Sequence, residues 1–125
     1  MKWTELDRFT QGYIDCALWS TLDGSTTSGG YPLDEDFTWE DIDTETLALM
    51  VEDCRSFQDD NRQDLDYCEL SFERKGHAFW LNRNRHGAGF WDEGCAPVYS
   101  RLSNASKVWG EFNLYVGDDD MIHGG

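Results

Sequence analysis

The chain has 125 residues, 39% of them hydrophobic, with six Trp, five Tyr and seven Phe. That is enough aromatic surface for one compact core and too little length for two. Twenty-five acids against ten bases give a net charge of −15, which argues against direct binding to nucleic acid through a basic face. No apolar run approaches the roughly 18 residues of a membrane span. The charged opening MKWTELDRFTQGYIDCALW lacks the uninterrupted apolar stretch of a secretory signal. The expectation is a soluble protein that stays in the compartment where it is made.

From Glu5 to Leu22 the positions Leu6, Phe9, Tyr13, Ala17 and Leu18 recur at three- and four-residue steps, and Thr4 suits an N-cap, so a first amphipathic helix is predicted. DGSTTSGGYPLDEDF, residues 23–37, concentrates Gly, Ser, Thr and Pro and reads as a long loop. In TWED, Thr38 and Asp41 approximate a capping box ahead of a second helix with the stripe Leu47, Met50, Val51, Cys54 and Phe57, fraying near Asn61. Residues 62–76 are ambiguous: Leu65, Cys68 and Phe72 suit a short third helix that Gly76 would stop.

HAFWLNR and GAGFWDE are aromatic-rich runs separated by Asn84, Arg85, His86 and Gly87, and they predict a β-hairpin over residues 77–93. Pro97 can open a further helix along Val98, Leu102, Ala105 and Val108 or Trp109, which Gly110 ends. FNLYVGD alternates as a last strand, and residues 118–125 read as a flexible acidic tail. Together these elements predict one α+β domain over residues 1–125, two or three helices packed on a small antiparallel sheet that includes the 77–93 hairpin.

Cys16, Cys54, Cys68 and Cys95 contain no C-x-x-C pair, and the expectation is four reduced, mostly buried thiols, with Cys68 and Cys95 the more exposed. DEDFTWEDIDTE, residues 34–45, has acids at positions 1, 3 and 12 of a calcium loop. Trp39 stands where the turn needs Gly and Ile42 replaces a ligand. No metal site and no cofactor are expected.

Charge is unevenly spread. Residues 1–70 hold 18 acids and 4 bases, and residues 71–125 hold 7 acids and 6 bases. A surface bearing Asp34, Glu35, Asp36, Glu40, Asp41, Asp43, Glu45, Glu52, Asp53, Asp59 and Asp60 can imitate the charge of nucleic acid, and the same acids also suit a merely solvated face. In RNRHGAGFWDEG, residues 83–94, the set Arg83, Arg85, His86 and Asp92 forms a candidate catalytic loop for a small-molecule or phosphate-handling enzyme, with His77 and Glu93 nearby. No Ser-His-Asp order, H-E-x-x-H, phosphate loop or dinucleotide fingerprint accompanies it, and a structural hairpin explains its glycines equally well.

The runs GHAFWLNRNRHGAGFWDEG (76–94), LYVGDDDMIH (114–123) and FTQGYIDCALWS (9–20) resemble a family of small acidic proteins encoded by bacteriophages and related mobile elements. Ala78 and Arg85 stand where that family commonly has an acid and a glycine, so no catalytic role carries over to them. The resemblance implies an origin and no mechanism. With such an origin, the expectation becomes a non-enzymatic accessory protein of the host cytoplasm. Its partner would be a host protein with a basic nucleic-acid-binding surface, such as a nuclease or defence system, which it inhibits.

Overall fold

The computed structural model describes residues 2–23, 31–85, 90 and 98–125. Its helices are α1 (Arg8–Ser20), α2 (Thr44–Asp60), α3 (Arg62–Tyr67), α4 (Phe72–Arg83) and α5 (Tyr99–Val108). Two short antiparallel pairs complete it: β1 (Leu22–Asp23) with β2 (Tyr31–Pro32), and β3 (Leu114–Val116) with β4 (Ile122–Gly124). The α+β class therefore stands with more helix than expected.

α1 starts three residues later than the Thr4 reading implies, because Asp7 is its cap. The Asp7 carboxylate accepts the Thr10 N–H at 2.7 Å. Thr38 and Asp41 do form a capping box, around the single 3-10 turn Trp39–Asp41, while Asp43 caps α2 by accepting from Thr46. The stripes read from sequence are buried as expected: Phe9, Tyr13, Ala17 and Leu18 on α1, and Leu47, Met50, Cys54 and Phe57 on α2.

The hairpin expected over 77–93 is corrected, since residues 77–83 lie in α4. Ser71 caps this helix by accepting the Arg74 N–H, and Glu73 favours its N-terminal dipole end. Phe79 and Trp80 have β propensity, but propensity yields to packing. Phe79 stacks on Phe57 at 4.0 Å between centroids and lies 5.3 Å from the Tyr13 ring, while Trp80 meets Tyr13 edge-on at 5.3 Å. The proposed second arm, apart from buried Phe90, lies outside the described residues.

Gly76, expected as a stop, is buried inside α4 at its crossing with α1. A Cβ there would overlap the Phe9 carbonyl oxygen and lie 2.7 Å from the Tyr13 nitrogen, and a Cβ on Gly12 would meet Glu73 backbone just as closely. The two glycines let the helix backbones touch.

Residues 118–125 are not a tail. They turn through Asp120 (φ 60°) into β4, pairing Tyr115 with His123 and Val116 with Ile122. Ile122 is fully buried, its carbonyl accepts the Asp43 N–H at 2.8 Å, and the Gly124 N–H donates to Thr46 Oγ1. The 23–37 loop is reached through β1 and left through β2 and a 3-10 turn over Leu33–Glu35, with residues 24–30 outside the described residues.

The expectation of four reduced thiols also fails. Cys16 and Cys54 are free and buried, with burial pushing the Cys16 thiol up to about 12 and Cys54 well above its ordinary value. Cys68, capping the end of α3, is disulfide-bonded. Spacing along the chain carries no information on this, because a bridge depends on Cα separation in space.

Two measurements follow. Gly12→Ala and Gly76→Ala should each destabilise the protein by about 1–3 kcal/mol or more in urea unfolding, whereas Gly125→Ala, with open space around it, should stay within about 0.5 kcal/mol. Thiol labelling in denaturant without reductant should modify Cys16 and Cys54 and leave Cys68 unmodified; a labelled Cys68 would remove the disulfide.

Candidate functional site

Arg83 is the first residue of the sequence-derived catalytic set, and it is 4% exposed. The last turn of α4 aims it into the core, where its NH1 donates to Asp53 Oδ2 at 2.8 Å and to the Tyr13 hydroxyl at 3.0 Å. Its Nε donates to the Gly110 carbonyl at 2.9 Å. The guanidinium carbon also lies 5.2–5.8 Å from the Phe79, Trp109 and Phe112 ring centroids. Burial raises the Tyr13 phenol far above its ordinary pKa, so it remains neutral. A further NH2 donor of Arg83 reaches the Trp109 carbonyl at 3.4 Å, so four of the five guanidinium N–H groups are used within the fold.

The neighbouring asparagines have a similar structural purpose. Asn82 Oδ1 accepts the Phe90 N–H at 3.0 Å, and Asn84 Oδ1 accepts the Phe112 N–H at 2.9 Å. Arg85 is exposed, with a φ of 62°. His86, Asp92 and Glu93 lie outside the described residues. His77 sits in the middle of α4 beside Trp19 of α1, 6.4 Å between rings. Burial lowers its pKa and raises that of Asp15, a nearby carboxylate. The structure therefore brings Arg83 to the core and His77 to α1, and joins them in no common pocket among the described residues.

The acidic positions divide by role. Asp53 is drawn into the Arg83 pair and is corrected from surface to structure. Glu52 pairs with Arg55 at 3.0 Å and Asp59 with Arg62 at 2.9 Å. Asp41 and Asp43 are half-buried caps. Asp34, Glu35, Asp36, Glu40, Glu45 and Asp60 are exposed, and no ion pair engages them among the described residues. Four of these six stand on the 3-10 turns Leu33–Glu35 and Trp39–Asp41 and the first turn of α2, and Asp36 directly follows the first of those turns.

The C-terminal hairpin, which carries exposed Asp118, Asp119 and Asp120, is joined to the segment before α2 by a bridge between Ile42 and Ile122. His123 lies between the two segments: its Nε2 is 3.0 Å from Asp119 and its Nδ1 is 3.9 Å from Asp43. Its ring stacks on Tyr115 at 5.7 Å. The Asp119 hydrogen bond, aided by the charges of Asp119 and Asp43, raises the His123 pKa, while that bond and the Met121 N–H lower the pKa of Asp119.

Sequence reasoning missed His123 and the 118–120 acids as parts of this face, since only the long-range pairing of β4 brings them there. It also missed Lys75, buried in α4 beside a cleft of about 550 Å³ at the start of α1. Among the described residues no group of three or more His, Cys, Asp or Glu is placed to hold a metal ion. No family model matches the chain, and no curated protein or solved structure is significantly similar to it.

The His123–Asp119 pair predicts a pH dependence. A raised imidazole stabilises the fold below its ordinary pKa of 6.5, and that contribution fades as pH rises through the raised value; lowered Asp119 contributes above 3.8 and fades as pH falls below it. The stability lost in His123→Gln should therefore be greatest between about pH 4 and 6.5 and shrink towards pH 8.5. Urea midpoints across pH check it, and a pH-independent difference would contradict it.

Proposed function

We propose that the chain is a small bacteriophage-encoded accessory protein that binds a basic, nucleic-acid-handling host protein through its acidic end and blocks it. Nucleases and defence systems are the target class. The observation that carries this reading is the group of exposed carboxylates that no ion pair engages among the described residues, Asp34, Glu35, Asp36, Glu40 and Glu45. Exposed Asp118 and Asp120 add to it from the hairpin joined through the Ile42–Ile122 bridge. Such a surface attracts a cationic groove by long-range field as well as by contact. The internal use of Arg83 removes one of the two arginines from the enzyme alternative, which is left with Arg85, His86 and Asp92.

Host proteins captured on the immobilised chain should be enriched in nucleic-acid binders and released by competing duplex DNA. Retention should fall steeply between about 50 and 200 mM salt, as expected where charges displace counterions. Converting Asp34, Glu35, Asp36, Glu40 and Glu45 to their amides should abolish capture while leaving the fold intact. Capture that survives both salt and neutralisation would instead mark the acids as a solvated face.

A further inference from the structure

The acidic segment before α2 carries an apolar cleft as well as charge. Between the 3-10 turn Trp39–Asp41 and the first turns of α2 lies a cleft of about 310 Å³, lined by Trp39, Glu40, Ile42, Thr44, Leu47 and Ala48. Its walls are held from behind. Trp39 packs against Trp3 with 5.7 Å between ring centroids, and the Ile42 N–H donates to the Trp39 carbonyl at 3.1 Å while Ile42 also bridges to Ile122. The Leu47 N–H donates to the Asp43 carbonyl at 2.8 Å. The cleft therefore exists before a partner arrives, and filling it costs little ordering of this chain.

The lining defines its occupant. Ile42, Leu47 and Ala48 form an aliphatic wall suited to a hydrocarbon stem, and half-buried Trp39 adds an indole. Glu40 belongs to the lining and Glu45 follows Thr44; both are exposed carboxylates, and residues 31–51 hold seven acids and no Lys, Arg or His. The positive end of α2 also meets the cleft at Thr44, and the Asp43 cap and Glu45 offset it. Arginine combines an aliphatic stem, a planar cation that stacks on an indole and a fork that bonds a carboxylate at two points. A second copy of this chain fits poorly, because two molecules of net charge −15 repel.

We propose that this cleft receives an arginine side chain of the basic partner, its stem against Ile42, Leu47 and Ala48 and its guanidinium on Trp39 and Glu40. The inference rests on the inhibitor reading for the existence of that partner. It names the anchoring contact: the surrounding acids draw a cationic surface in from a distance, and one desolvated side chain in a preformed cleft holds it.

Hexa-arginine and hexa-lysine, which carry the same charge, test the proposal when titrated into the full chain. By calorimetry, hexa-arginine should bind at least about threefold more tightly, a difference that stacking on one indole supplies, and the ratio should persist while salt between about 50 and 200 mM weakens both. Ala48→Leu adds bulk at an exposed helical position without changing charge. It should bring the ratio to one and leave the hexa-lysine affinity unchanged. In the unsubstituted protein the indole N–H resonance of Trp39 should shift with hexa-arginine and far less with hexa-lysine, which decides the matter if the variant does not fold. Equal affinities for the two peptides would overturn the cleft assignment and leave the inhibitor reading standing, whereas no binding of either would overturn both. A preference that survives Ala48→Leu with an unmoved Trp39 resonance would also overturn the assignment.

Discussion

A guanidinium enclosed by protein must have its charge balanced and its N–H groups accepted inside the fold, and this requirement at Arg83 organises much of the molecule. Asp53 brings α2 to it, Tyr13 brings α1, and the carbonyls of Trp109 and Gly110 bring the end of α5. Three aromatic rings close the remaining directions. Desolvating such a pair costs free energy that Coulombic attraction only partly offsets. Its value therefore lies less in net stability than in fixing which helix faces meet.

That constraint works with a second, steric one. Gly12 and Gly76 allow α1 and α4 to approach at backbone distance. The approach stacks Phe79 against Phe57 and sets Trp80 beside Tyr13, with Trp80 Nε1 donating to Ser20 Oγ at 2.9 Å. The aromatic density noticed in the composition is in this way concentrated around one helix crossing.

How much of this was legible in the sequence depended on whether each buried face is apolar. α1 and α2 bury Phe, Tyr, Leu, Met and Cys at helical spacing, and their stripes stand out. α4 buries Lys75, Gly76, Asn82 and Arg83 along with Phe79 and Trp80, so its period is hidden by polar residues and its aromatics resemble a strand. The C-terminal strand rests on the single buried residue Ile122 within an acidic, glycine-rich run, too little for any pattern. Acids such as Asp34 and Glu40 are exposed, as charge alone leads one to expect. Asp53 was not, because charge counts do not reveal an arginine thirty residues away that turns inward. The same reasoning explains why Arg83 looked catalytic: arginine beside histidine and aspartate in a glycine-rich loop looks alike in sequence whether it faces solvent or core.

A double-mutant cycle on Arg83 and Asp53, read by urea unfolding, tests most directly whether Arg83 is an internal structural cation. Arg83→Met should cost about 3–5 kcal/mol, the usual penalty for stranding one partner of a buried pair. Adding Asp53→Leu should recover part of the loss, with a coupling energy above about 1 kcal/mol. A loss below about 1 kcal/mol for Arg83→Met, or strictly additive losses, would place Arg83 outside the core network and contradict its structural role.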